Sequence, residues 1–266
     1  MNKQAKSTRL PIVWIASYPR SGNTFFRNIL FHVFGIESEV YSFKHKIHID
    51  RASILYIKTH LIPQQLPIEK EDIVIYLIRD GRDSVLSRAY KKKQIHKRFS
   101  SFRINLLNFI SHKNSKESWS SHLKAWEEYV TLTIKFEELT KDPIKQIEQL
   151  SKSLSLPSPN LDELPTFETQ KNGNSKYSGG GNSKAFFRKG KVGGWKKEFP
   201  NRYMLYFHYV HGDKLHELGY LDEIPTFNNI QRLTLFLTRC EAKVFRTIEF
   251  MYFRPLNKFL GSKKSR

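Results

Sequence analysis

The sequence predicts an α/β fold: a central, mostly parallel sheet with helices on both faces, plus a helical extension at the C-terminus. Three observations carry this. Short apolar runs at Ile12–Ser17, Ile54–Ile57 and Ile73–Ile78, rich in β-branched residues, suit strands buried on both faces. Each run passes directly into a polar loop, and helical periodicity follows the first and third. Alternating strands and helices of this kind build parallel sheets.

The elements follow in order. Residues 1–9 are polar and basic and are expected as a loose tail. After the first strand and its loop, Phe26, Ile29, Leu30, Val33 and Phe34 fall on one helical face, with Gly35 as the stop. After the third strand a helix is expected from near Asp83, a good N-cap, into the basic cluster Lys91–Lys93. Residues 94–118 show few signals and are expected as a mobile lid or substrate loop. Trp119–Tyr129 reads as helix, Val130–Phe136 as a fourth strand, and Glu137–Asp142 as a turn. Pro143–Leu154 reads as a helix with proline in its first position. Residues 170–194, rich in Gly, Ser, Asn and Lys, are expected as a long loop. Asn201–Leu218 returns to a helical pattern and closes at Gly219.

Composition narrows the partners. The chain has 266 residues, 39% of them hydrophobic, enough for one large domain with a full core. Its formal net charge is +20, which favours anionic partners: nucleotide-like ligands, acidic glycans, nucleic acid or an anionic membrane face. Cys240 is the single cysteine, so no intrachain disulfide can form. The run Ile12–Ala16 is too short for a signal-peptide core, and no stretch approaches the roughly 20 apolar residues of a spanning helix. A cytoplasmic protein is expected, with peripheral contact to the inner membrane face as an open addition.

Ligands of open parallel sheets sit outside the carboxyl ends of the strands, where three motifs fall. In SYPRSGNT (17–24), Gly22 permits a tight turn, and the first N–H groups of the next helix point outward with a partial positive charge. Ser21, Asn23 and Thr24 add donors, and Arg20 adds a fixed charge. The loop lacks the second glycine and the Lys-Ser/Thr pair of a Walker A motif. The plain alternative is a polar strand–helix turn. In IRDGRDSVLS (78–87), Arg79 ends a strand and Ser87 lies about a turn into the following helix, so both could meet a second phosphate. The alternative is a surface ion pair of Arg79 with Asp80 or Asp83. In Lys58-Thr59-His60, Lys58 and His60 share one strand face. His60 could take a proton from an acceptor hydroxyl, and Lys58 could neutralise charge on a transferred group. Far downstream lies a glycine-rich basic segment, RKGKVGGWKKEF (188–199).

Together these segments resemble the sulfotransferases that use PAPS (3′-phosphoadenosine-5′-phosphosulfate). SYPRSGNT resembles that family's 5′-phosphosulfate loop, with Arg20 where a lysine often stands and Phe25 where a tryptophan often stacks on adenine. RDGRDSVLS resembles its 3′-phosphate segment, which would put Arg79 and Ser87 on that phosphate. KTHLIP resembles the segment of the catalytic base, here His60 beside Lys58. Phe136 stands where an adenine-contacting tyrosine is common. RKGKVGGWK resembles the late segment in which Arg188, Lys189 and Gly190 would close over the 3′-phosphate, although Gly194 and Lys197 replace its usual Asp and Asn. The resemblance spans about residues 11–220. It implies a P-loop-NTPase-like three-layer sandwich, PAPS as co-substrate without a metal, and in-line transfer of a sulfuryl group to a hydroxyl or amine, catalysed by positioning and electrostatics. His60 would be the general base, with Arg20 and Lys58 stabilising the leaving oxygen.

On this reading residues 10–222 form the catalytic domain and 223–266 a basic amphipathic extension. In that extension Leu233, Leu237, Cys240, Val244, Ile248 and Met251 share one helical face, and Arg232, Arg239, Lys243 and Arg246 another. The apolar face could pack on the domain, on a second subunit, or on an anionic bilayer, so the oligomeric state stays open between monomer and homodimer. The acceptor, whether small molecule, glycan or lipid-linked, is not legible. Two rival functions are a P-loop phosphotransferase and a non-enzymatic basic adaptor for membrane or nucleic acid. The first lacks its Walker lysine, and nucleic acid is the less expected partner.

Overall fold

A computed structural model describes residues 9–95, 101–111, 118–173, 175–177, 190–248 and 251. The strands are β1 (Ile12–Ser17), β2 (Glu39–Tyr41), β3 (Leu55–Thr59), β4 (Ile73–Ile78) and β5 (Leu132–Lys135). The described helices, in chain order, are α1 (Asn23–Phe34), α2 (Gly81–Ile95), α3 (Phe102–Ile110), α4 (Trp119–Trp126), α5 (Phe136–Lys141), α6 (Pro143–Leu154), α7 (Phe167–Lys171), α8 (Trp195–Glu198), α9 (Asn201–Glu217) and α10 (Asn229–Ile248). The chain divides into two compact units. A sheet unit comprises residues 1–79 and 125–190, and a helical unit comprises 80–124 and 191–266.

The sheet unit holds all five strands, in the order β2-β3-β1-β4-β5 and all parallel. β1 is central and wholly buried, as its unbroken apolar run requires. Ile29, Leu30 and Val33 of α1 join Val13, Ile15, Ile75 and Leu77 in one core, which α5 and α6 extend with Leu139, Ile147 and Leu150. α1 stops at Gly35, where φ is 67°. There the Ile36 N–H bonds Leu30 O and the Gly35 N–H bonds Phe31 O, so carbonyls of the last turn are satisfied by the left-handed cap. At the amino ends of the strands, Asp72 accepts the Ile12 N–H, the Trp14 indole N–H and both terminal nitrogens of Arg51. Burial opposes its charge, but these bonds hold the carboxyl below its usual range. This end is therefore pinned by polar bonds, while the carboxyl ends carry the motif loops.

The helical unit packs α2 against α3 and α9, and α10 against α9 and α3. Its core gathers Trp119, Phe199, Phe207 and His211. At Gly81, the first residue of α2, a β-carbon would lie 2.4 Å from the Trp119 ring, so the close packing there requires glycine.

Two expectations shift, and a third falls largely outside the described residues. The stretch read as a turn after the fourth strand is the helix α5, beginning at Phe136 itself. Within 94–118, read as a mobile lid, Phe102–Ile110 is an ordered helix with Leu106, Leu107 and Ile110 fully buried. Its apolar run is short and isolated in a basic stretch, so periodicity gave too little signal. Much of the 170–194 loop, including Arg188 and Lys189, lies outside the described residues.

Candidate active site

The site is built where β1, β3 and β4 end. Gly22 caps α1 with φ at 91°, in the left-handed region that favours glycine. A β-carbon there would also sit 2.3 Å from Cδ2 of Phe136. Gly22 is thus required twice, once by its dihedral and once by the ring packed over it. Arg20 also has a positive φ, 75°, unusual for a residue with a side chain. Its carbonyl accepts Arg79 Nη1 at 3.2 Å. The Arg79 guanidinium in turn lies 4.5 Å from the centre of the Phe136 ring. Loop, arginine and ring therefore brace one another. The ion pair weighed for Arg79 has other claimants: Asp80 grips Arg82, while Asp83 accepts the Gly193 and Trp195 N–H groups.

Asn23 does not aim its amide outward as its motif position implies. Its Nδ2 donates to Ile15 O and Ser17 Oγ, bracing the end of β1 beneath the loop. The outward-facing donors are then the backbone N–H groups of the first turn of α1, which lack helical partners. Ser21 is buried and Thr24 is half-buried or better on that same turn.

His60 follows β3. Its Nδ1 lies 2.8 Å from Ser17 O, and 3.3 Å from Ser17 Oγ. A carbonyl can only accept, so Nδ1 carries the proton and Nε2 carries the lone pair. The loop's first residue thus fixes the tautomer of the candidate base. Lys58, on β3, is largely buried beside Arg27 of α1. Burial, then the charge of Arg27, pushes its ammonium down to about 8. Arg27 bonds the neutral Ser38 Oγ and Ser38 O and lies 3.8 Å from the Tyr177 ring centre. Burial pushes it down to about 10. Two cations held close together and set among neutral groups make this end of the sheet electropositive.

Aromatic rings line the unit nearby. Phe25 packs edge-on against Phe136, with centroids 6.3 Å apart, and at a tilt against Phe167, with centroids 6.0 Å apart. Gly190, with φ at 61°, lies so close to Phe167 that a β-carbon would meet its ring at 2.1 Å. Contacts within the sheet unit link Ser17 to His60, Arg20 and Gly22 to Arg79 and Phe136, and Phe25 through Phe167 to Gly190, whereas Lys58 is placed beside Arg27. Ser87 is buried on α2 of the helical unit.

Residues 10–219 match the model of the Sulfotransferase domain family. The chain belongs to that family. This sulfotransferase-family chain is 30% identical to Sulfotransferase 1A1 of Mus musculus over 172 residues, 54% of this chain and 56% of that protein. It thus spans a little over half the length of that relative. It is 28% identical to Sulfotransferase 1E1 of Homo sapiens over 246 residues, 74% of this chain and 81% of that protein. Its fold is similar to that of mouse sulfotransferase SULT7A1 complexed with PAP, with a TM-score of 0.62 and 21% identity, covering 86% of this chain and 89% of that one.

Two residues that sequence reasoning missed stand out in this sulfotransferase-family site. Phe167 opens a five-residue helix too short to show periodicity; the signal was its N-cap, where Thr166 accepts the Thr169 N–H. Arg27 hides among the apolar residues of α1, and a lone arginine on a core face was the cue. The departure at Gly194 also has a local setting. A side chain there would grow toward Asp83 Oδ1, 3.5 Å from its β-carbon, so the usual aspartate would face a carboxylate.

Proposed function

We propose that this enzyme moves a sulfuryl group from PAPS to a hydroxyl or amine of its acceptor, with His60 as general base. The observation that carries the reading is the shared dependence on one loop. Ser17, at its start, fixes the His60 tautomer, and Arg20, within it, seats Arg79. An anion seated at Gly22 would therefore meet a base oriented by the same backbone.

The residues fit the nucleotide. The first N–H groups of α1 have no helical partners and offer donors to a phosphate, and the Phe136 ring packs over Gly22 beside them. Phe25, Phe136 and Phe167 offer ring faces for a base, although Phe136 lacks a hydroxyl to hydrogen-bond it. Arg79, with Ser87, Arg188, Lys189 and Gly190, is assigned to the 3′-phosphate, and Ser21 to Thr24 to the 5′ side. PAPS, when bound, supplies an activated sulfuryl group whose bond to the 5′-phosphate oxygen breaks as the acceptor's bond to sulfur forms. His60 accepts the acceptor's proton at Nε2. Lys58 and Arg20 hold positive charge where the leaving oxygen gains negative charge. No residue role here calls for a metal. The acceptor class stays among small molecules, glycans and lipid-linked hydroxyls, and cytoplasmic operation belongs to the same proposal.

The test is a thermal shift with adenosine 3′,5′-bisphosphate against AMP and ATP. Selective stabilisation by the bisphosphate is expected. Arg79→Ala should weaken that binding roughly tenfold or more, in keeping with loss of a charged hydrogen bond. Equal stabilisation by all three nucleotides would overturn the reading in favour of a phosphotransferase.

A further inference from the structure

The helix α10 is fastened to its unit by one side. Leu235, Thr238 and Ala242 are its buried residues and face the side packed on α3 and α9. Polar ties reinforce this. Thr238 Oγ1 accepts Arg202 Nε, and Glu241 pairs with Arg103 at 2.7 Å and with Arg202 at 2.8 Å. Arg246 Nη1 donates to Ser111 O. These contacts come from opposite flanks of the packed side, so the helix cannot roll without breaking them.

The opposite side is left outward, and it is apolar. Ile230 is 78% exposed, Leu233 60%, Phe236 61%, Leu237 52% and Val244 56%. At 100° per residue these cluster on one stripe about 20 Å long on α10. Burying such side chains against lipid or protein is favourable in proportion to the apolar area removed from water, so leaving them in water needs a reason. Arg232, Arg239 and Lys243 are also exposed and line one edge of the stripe. Within α10 the single acidic residue, Glu241, is neutralised by its two arginines. Residues 252–266 add Arg254, Lys258, Lys263, Lys264 and Arg266 with no acid among them.

We propose that this stripe docks on an anionic lipid bilayer, with α10 lying in the interface plane. An apolar face flanked by Lys and Arg is the pattern of interfacial helices. Basic residues near an anionic leaflet add an electrostatic attraction that falls off within a Debye length. A second copy of the chain is the weaker occupant on charge grounds. Each copy carries +20, and a self-complementary contact on the stripe would set the basic edges of two copies close together. The bilayer supplies the opposite charge. The proposal is independent of the sulfotransferase reading.

The test is co-sedimentation of the full chain with vesicles of phosphatidylcholine alone and of phosphatidylcholine with phosphatidylglycerol at about 2:1. Binding to the anionic vesicles and none to the neutral ones is expected. The double variant Leu233→Glu/Leu237→Glu should partition at least tenfold less, with Tm and the shift by adenosine 3′,5′-bisphosphate unchanged. Lys243→Gln should weaken binding by a smaller factor. Three results would overturn the proposal: no sedimentation with anionic vesicles; equal sedimentation of wild type and double variant, which would reduce binding to charge alone; or a wild-type dimer by sedimentation velocity that the double variant dissociates, which would give the stripe to a second copy.

Discussion

His60 in the sheet unit and His211 in the helical unit are both hydrogen-bonded histidines, yet their surroundings suit them to opposite roles. His211 uses both ring nitrogens. Nε2 donates to Ile110 O at 3.2 Å, and Nδ1 accepts from Ser120 Oγ at 2.7 Å. Trp119 and Phe207 pack on its ring, and burial pushes it down to about 3. Such a ring stays neutral and has no lone pair to lend. His60 is only partly buried, and its Nδ1–H donates to the Ser17 carbonyl, so on the proposed mechanism Nε2 is the basic nitrogen. Presence of a histidine says little. Which nitrogen is spent, and how much water reaches the ring, decides what it can do.

Exchanging the two positions in experiment gives the largest expected effect. His60→Ala should cut turnover by about 10²–10⁴, the usual contribution of a general base. Its Tm and its binding of adenosine 3′,5′-bisphosphate should stay near wild type. Turnover surviving at wild-type level would remove His60 from the mechanism. His211→Ala should do the reverse. It leaves a cavity and strands Ser120 and the Ile110 carbonyl, at a cost of about 2–4 kcal/mol in unfolding free energy. Its kcat at a temperature where it remains folded should be unaffected.

A pH titration sharpens the same contrast at slightly smaller cost. The folded pKa of His211 lies below its ordinary value of 6.5. Below pH 6.5 the unfolded chain binds a proton that the folded chain refuses, so stability falls as pH drops toward 3. The slope is about 1.4 kcal/mol per pH unit from this one group. Urea denaturation of wild type and His211→Phe at pH 7 and pH 5 isolates it. The wild type should lose roughly 2 kcal/mol more over that interval. Parallel losses in both proteins would show that His211 titrates normally.

The same logic of surroundings explains what could be read in advance. The parallel sheet was legible because β1 and β4 are continuous apolar runs, as strands buried on both faces are, and the apolar residues Ile54–Ile57 mark β3 before it turns polar at Lys58. The loop residues were legible as a group because each motif follows a strand. What each side chain does was not. Asn23 looks like an anion donor but spends its amide on Ile15 and Ser17. Arg27 stands as a lone arginine among the apolar residues of α1, and only the structure shows that it is buried beside Lys58. In α10 the amphipathic pattern was plain, yet a pattern does not say which side is covered. Small Ala242 and hydrogen-bonding Thr238 pack inward, while the leucine stripe faces out.

The smallest effect concerns Lys58, which shares the electropositive end of the sheet with Arg27. A lysine ordinarily keeps its charge to beyond pH 10, but this one is pushed down to about 8, first by burial and then by the neighbouring guanidinium. On the proposed mechanism the charged form is the active one. Turnover should then fall as pH rises through about 8, by about tenfold at pH 9, where only about one molecule in eleven keeps the proton. Lys58→Arg should lower the maximum rate, because a planar fork does not reproduce a point charge. It should also abolish the alkaline fall, because a guanidinium holds its charge across that range. A measured pH–kcat profile of the two proteins separates the outcomes. An alkaline limb that survives in Lys58→Arg would belong to another group, and Lys58 would then be a buried neighbour of the site with no part in stabilising the leaving oxygen.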